Sequence, residues 1–493
     1  MFPRLWPLHR ATILLGAVAV AAALLDLGRL HRLEQGDSIV PVLVSLQRWT
    51  PFFWDQERYG MLVPLLALPF RDPLRNLLVQ RLLLGAAGLG AVVLLARHVL
   101  AGRDWPLAGA LAAAGLLAAA PAPWLFEYLF DQPYGLALAL AAAGLALADP
   151  APQIGGARWA RVASGGLLVV AAHWVNAATG ILLLALAVAR AAVDRLEGED
   201  RSTVRTRLVR DAVLLGVGLA AGQAFLRLYP VLAHEPLRLD VALLPRSALP
   251  GAWATFLANA WRDAGAWRGA VVAAALGGTA LLALAPLRPH LPGALLRAAA
   301  LLAAALAYAL FAGSLRWVEE NAFHWRYLAP SAVLVHLAAA SLLAEPLARL
   351  RRTARPAGLL ALALVPAAAL AVAGPPSLAR VRADLDLAAG RLTPDLLAAR
   401  CDVLAGDYWT VWPAVWHAGL ALHERGESRR VYGLTHRATP TAAAWRGRPA
   451  GTVRLCRPAG EAAAADRWLR DFGLPPMREA GRVGAVEILA PAR

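Results

Sequence analysis

Acidic and basic side chains gather at three places in a chain that is otherwise strongly apolar. The first is the segment around "GDS" (Gly36–Ser38) and "FFWDQERY" (Phe52–Tyr59), with Asp26 and Asp37 upstream of Asp55, Glu57 and Arg58. The second is "WLFEYLFDQPYG", where Glu127 and Asp131 stand four apart and on a helix would share a face. The third is "RWVEENAFHWRYLAPS", which carries His324, Arg326 and Tyr327. A carboxylate can take a proton from a hydroxyl as a bond breaks. An arginine can clamp a phosphate through two parallel hydrogen bonds. Each charge taken singly also fits a solvated interfacial loop with snorkelling side chains. Their recurrence in three separate segments points to chemistry.

Those segments need elements to hold them, and hydropathy supplies the elements. The chain has 493 residues, is 59% hydrophobic and has a mean hydropathy of +0.52. Soluble chains of this length divide into polar-surfaced domains instead. Uncharged runs such as "LLGAVAVAAALL" and "AAALLAAALAYALFAGS" approach the length that a bilayer requires. About eleven membrane-spanning helices are expected by this pattern, from Ala11–Leu27 to Gly358–Ala373. One of them, Val162–Ala172, is short, and the polar "HWVN" (His173–Asn176) separates it from the next.

The net charge is +16 and all 49 basic residues are arginine. They cluster between apolar runs, where they set topology, so nucleic acid is not the expected partner. "LARLRRTAR", "DRLEGEDRSTVRTRLVR" and the N-terminal "MFPRLWPLHR" fall on one side, read as cytoplasmic. The three charged segments and the tail then face outward from a cytoplasmic (inner) membrane. Residues 1–374 are expected to form the membrane domain, with interfacial helices in the outer loop 29–76.

After Pro375 the composition changes. "RRVYGL", "TVRLC" and "VGAVEIL" are of strand length and alternate with helical stretches, which predicts a small α/β domain over 375–493. Cys401 and Cys456 both lie there and are a disulfide candidate if the domain faces an oxidising compartment. Trp409, Trp412 and Trp416 recur at helical spacing, either as core or as a face for a glycan.

"GDS" after the first span, the long first outer loop, "FDQPYG" and "RYLAP" together resemble the GT-C superfamily. The closest likeness is to its protein O-mannosyltransferase and lipid A aminoarabinose transferase branch. The likeness extends over most of Ala11–Ala373 as topology and rests on short motifs at residue level. It implies a glycosyltransferase that takes a sugar from a polyprenyl-phosphate donor and passes it to a glycan, lipid or protein acceptor. An acidic residue of the first outer loop would be the general base. Asp37 matches that position best, although Ser38 replaces the usual second acid, and Asp26, Asp55 and Glu57 are the alternatives. Arg326 matches the arginine near the donor phosphate, with Arg58 second, and Asp131 matches the acid of the second outer loop. Tyr327, His324, Asp55 and Glu57 complete the expected substrate-binding set. No cofactor is called for, and no His/Cys spacing asks for a metal, although a divalent ion is left open. A transporter or lipid flippase is the alternative, and it would place its charges within the spans.

Overall fold

The computed structural model describes residues 6–56, 59–100, 105–149, 156–233, 242–284, 290–350, 356–445 and 453–492. Glu57 and Arg58, both expected in the site, lie outside the described residues. The described chain divides into two compact units.

The first unit gathers the described parts of 1–25, 84–232 and 239–374, and it is helical. Four helices among the described residues are long and apolar enough to cross a membrane: Pro73–Val99, Arg201–Leu232, Leu291–Gly313 and Trp325–Leu347. Counting bent helix pairs as single spans raises this to seven, and shorter apolar helices such as Trp105–Ala119 stand beside them. These helices make the chain an integral membrane protein. The expected eleven is not reached by length, because several apolar runs end early or bend. Ala122–Asp131 and Tyr134–Ala148 meet at 58°. The "HWVN" segment ends at the break between helices Gly156–Val175 and Thr179–Leu196. His173 lies within the helix Gly156–Val175, and the Asn176 side chain accepts from the Ala178 amide (3.0 Å) at the turn that follows.

Without a hydrophobic drive between helices in lipid, close packing depends on small residues. A Cβ on Gly144 would lie 2.6 Å from the Gly165 carbonyl oxygen, so these two glycines let Tyr134–Ala148 and Gly156–Val175 approach backbone to backbone. Leu291–Gly313 packs in turn against Ala329–Leu350 and Thr179–Leu196.

The second unit gathers Asp26–Leu83 with the tail from Pro375. A boundary at 374/375 in sequence would leave residues 29–76 with the membrane domain. The packing joins them to the tail for a plain reason. Helix Gly36–Leu46 is apolar nearly all round, and such a helix must be buried. Ile39, Val40, Leu43 and Val44 share one core with Val381, Leu385, Val411, Trp412 and Trp416. This helix is therefore not the interfacial one expected. The short helix Leu62–Ala67 keeps more of that character, with Leu65, Leu66 and Phe70 exposed.

The tail carries a five-stranded sheet: β1 (Val403–Ala405), β2 (Tyr432–Leu434), β3 (Leu455–Pro458), β4 (Met477–Val483) and β5 (Val486–Pro491), in the order β2-β1-β3-β5-β4. β1 runs parallel to β2 and β3, whereas β5 pairs antiparallel with β3 and β4. Cys401 and Cys456 are joined in a disulfide beside β1 and β3. Helix Tyr408–Glu424 buries Trp412 and Trp416 against this core, and Trp54 of the first loop tilts onto Trp412 at 5.6 Å. Trp409 alone of the three stays open, at 49% exposure. The tryptophan stripe is mostly core.

Candidate functional site

Asp37 occupies the first turn of Gly36–Leu46 and is only 6% exposed. Carboxylates are favoured there by the helix dipole. Tyr408 of the tail donates its hydroxyl to Asp37 Oδ1 at 2.7 Å. The residue before Asp37 makes this possible: a Cβ on Gly36 would stand 2.6 Å from Tyr408 Cε1, so only glycine admits the ring. The Arg437 guanidinium lies over Tyr408 at 5.3 Å and over Phe53 at 4.4 Å, and His436 packs on Tyr408 at 5.0 Å.

The turn that presents Asp37 is pinned by a buried ionic network. Arg81 grips Glu34 with two hydrogen bonds, Nε to Oε1 at 2.8 Å and Nη2 to Oε2 at 2.7 Å, and Nη2 also reaches the Ser38 carbonyl. Ser38 donates to Glu34 Oε2 at 2.6 Å while its oxygen accepts from the Gln35 amide. His31 bridges Glu34 (3.2 Å) and the Asp26 carbonyl (2.6 Å). Burial alone would push the Glu34 carboxyl up, but Arg81 and His31 outweigh it and hold Glu34 down at about 2. Burial likewise opposes a charge on His31, yet its hydrogen bond to Glu34 and the nearby carboxylates raise it.

Two consequences follow from this network. Glu34→Gln leaves the Arg81 guanidinium buried without a counter-charge, which costs about 3–5 kcal/mol. A thermal melt of the purified protein is expected to show that loss, and the apolar pair Glu34→Met with Arg81→Leu is expected to recover much of it. The pH dependence has two arms. The Glu34 contribution is complete above its ordinary 4.5 and is lost as pH falls toward about 2. That of His31 is complete below 6.5 and is lost as pH rises through its raised folded value. The melting midpoint is therefore expected to peak between these limits, with the acid arm flattened in Glu34→Gln.

Asp55 sits elsewhere. Its backbone is left-handed (φ 56°), and its carboxylate accepts from the Ala438 and Thr439 amides and the Thr439 hydroxyl (2.7, 3.2 and 2.6 Å). It caps helix Thr439–Trp445 and is committed to structure. Asp26 closes helix Trp6–Asp26 beside His31.

In the first unit the second and third charged segments meet. Leu315–Phe323 turns back through two left-handed residues, Ala322 (φ 54°) and Phe323 (φ 50°), a strained pair for non-glycine residues. Phe323 is braced by Phe256 at 6.2 Å. This turn delivers Trp325–Leu328, a short 3-10 helix leading into Ala329–Leu350. Arg326 is 8% exposed, and its Nη2 donates to Asn321 Oδ1 and to the Tyr327 hydroxyl, both at 3.2 Å. His324 Nδ1 accepts from the Arg326 amide at 3.2 Å, which assigns its proton to Nε2 as a donor. Burial and the Arg326 charge push His324 below its usual range, against the opposing charges of Glu127 and Asp263. The Glu127 charge of the second segment thus acts on the late loop. Asp131 ends the widened turn Glu127–Asp131, buried, and accepts from Gln132 Nε2 at 2.6 Å.

Beside this polar cluster lies an apolar cavity of 520 Å³ walled by Trp124, Trp267, Leu302, Leu306, Trp325 and Leu328. In a 3-10 helix, residues three apart fall on one side, so Trp325 and Leu328 face the cavity together. Arg326 and Tyr327 lie between them, and the Arg326 guanidinium bonds to Asn321 and to the Tyr327 hydroxyl. Head and tail of an amphipathic ligand would find opposite surroundings here. Among the described residues, no group of three His, Cys, Asp or Glu is placed to hold a metal ion.

No family model matches the chain, and no curated protein matches it. Two solved structures of ArnT from Cupriavidus metallidurans resemble it weakly. The one bound to undecaprenyl phosphate aligns at 14% identity and a TM-score of 0.36, over 98% of this chain and 97% of that one. The apo one aligns at 15% identity and 0.33, over 97% of each. Likeness at this level carries no weight for function, which rests on the chain's own residues.

Sequence singles out Asp37 and Arg326 as candidates but not the residues that hold them. Tyr408, Arg437, Glu34 and Arg81 carried no motif. Only the adjacency of Gly36 to an acid hinted that a bulky group comes close.

Proposed function

We propose that this protein is a membrane glycosyltransferase that moves a sugar from a polyprenyl-phosphate donor to an acceptor hydroxyl on the outer face of the cytoplasmic membrane. The observation that carries the reading is the Arg326 segment, with its guanidinium and imidazole donors on one side and an apolar cavity on the other. A sugar phosphate on a hydrocarbon chain has that division.

In the proposed step the acceptor oxygen bonds to the sugar's anomeric carbon as the carbon–oxygen bond to phosphate breaks. The acceptor proton goes to Asp37, and the lipid leaves as a phosphate monoester. Arg326 offsets the charge that develops on that phosphate, with Tyr327 and His324 as further donors. Tyr408 orients the Asp37 carboxylate through its hydroxyl. Removing one hydrogen bond to a charged group costs about 1.5–3 kcal/mol. Tyr408→Phe is therefore expected to lower the melting midpoint by a few degrees and, with the carboxylate no longer oriented, to slow transfer about tenfold or more.

The test is transfer of radiolabelled sugar from a synthetic polyprenyl-phosphate donor to membrane acceptors by purified protein in liposomes. Label on an acceptor supports the reading. Label that crosses the bilayer still attached to its lipid would make the protein a flippase.

A further inference from the structure

A second cavity, of 430 Å³, opens in the tail at the leading ends of the parallel strands β1 and β2. Its volume is within the roughly 300–1,000 Å³ of small-molecule sites. Its walls are mostly polar: Asp402 just before β1, Arg429 and Arg430 just before β2, Tyr432 on β2, and Thr441 and Trp445 on helix Thr439–Trp445. None of these residues serves the proposed transfer site.

The guanidinium of Arg429 is incompletely satisfied. Its Nε lies 4.0 Å from Glu427, and its Nη1 is shut off from solvent with no hydrogen-bond partner among the described residues. A buried donor left unpaired is costly, and an anion entering the cavity would satisfy it. Arg430, exposed beside it, adds a second positive charge. Across the cavity the Asp402 carboxylate is steadied by the Arg454 amide at 2.9 Å. A carboxylate there can accept from hydroxyls but would repel a plain anion. Trp445 is held edge-on by Phe472 at 5.7 Å, so the cavity has a fixed aromatic wall. Apolar faces of sugar rings pack on such walls.

We infer that this cavity binds a saccharide bearing a phosphate or carboxylate, with the anion on Arg429 and Arg430, hydroxyls on Asp402 and the ring against Trp445. The site does not depend on the transfer reading, and binding is measured without any donor lipid.

The full chain in detergent would be titrated calorimetrically with glucose 1-phosphate, glucuronate, methyl glucoside and inorganic phosphate. Saturable binding of glucose 1-phosphate, glucuronate or both is expected, and which of them binds identifies the anion. Arg429→Gln is expected to weaken it about tenfold or more. Arg430→Gln should weaken it too, and because that side chain is exposed, its loss cannot be a folding effect. Methyl glucoside should bind far more weakly. The inference is overturned if neither anionic sugar binds, if Arg429→Gln binds as the parent does, or if inorganic phosphate binds as tightly as glucose 1-phosphate.

Discussion

Asp37→Asn protein is expected to insert, fold and melt like its parent while losing sugar transfer by about 10²–10⁴-fold, the usual contribution of a positioned acid or base. The substitution is mild for the fold. Asparagine keeps an oxygen to accept from Tyr408, and the network of Glu34, Arg81 and Ser38 beneath it is untouched. What it removes is the capacity to hold the acceptor's proton. Transfer rate and melting midpoint measured on the same preparation separate chemistry from folding. Full turnover by a well-folded Asp37→Asn protein would remove Asp37 from the reaction.

Arg326→Gln is the second large effect. Loss of a preorganised donor to developing charge costs about 10²–10³ in rate. Arg326→Lys restores the charge but not the planar two-pronged geometry, so it should fall between glutamine and the parent. The side chain lies over the Tyr327 ring at 5.1 Å and bonds to Asn321, which fixes its direction. A lysine cannot reproduce both contacts. Initial rates at saturating donor for the three proteins give the order. Equal rates in parent and Arg326→Gln would show that the guanidinium does not act on the leaving phosphate.

Much of the sheet could be read from sequence, and the reasons it was partial are physical. β2 lies within "RRVYGL", while β3 and β5 begin within "TVRLC" and "VGAVEIL" and run two residues beyond them. β1 is buried at every position and shows no alternation to mark it as a strand, and β4 is an edge strand whose residues are largely exposed. The first outer loop was harder. "DSIVPVLVSL" has the spacing of an amphipathic helix, but its second apolar face signals burial, and its partner helix begins at Tyr408, hundreds of residues on. Pattern within one window does not report contacts of that range.

Of the candidate site, sequence offered isolated charges only. Asp37 and Arg326 stood out because charge is rare in this chain and its position therefore informative. Asp55 stood out for the same reason, yet it caps a helix that sequence alone could not bring to it. Glu34 and Arg81 went unnoticed, since a buried pair 47 residues apart leaves no spacing signal.

In the proposed reaction a sugar–phosphate bond is broken and the sugar is passed on. Phosphorus NMR of the reconstituted protein with a polyprenyl-phosphate sugar and acceptor lipid reads that bond directly. The donor's phosphodiester signal should decline and a phosphate monoester signal should rise, one for one with sugar appearing on the acceptor. A phosphodiester signal that persists undiminished, with active donor and acceptor both supplied, would contradict it.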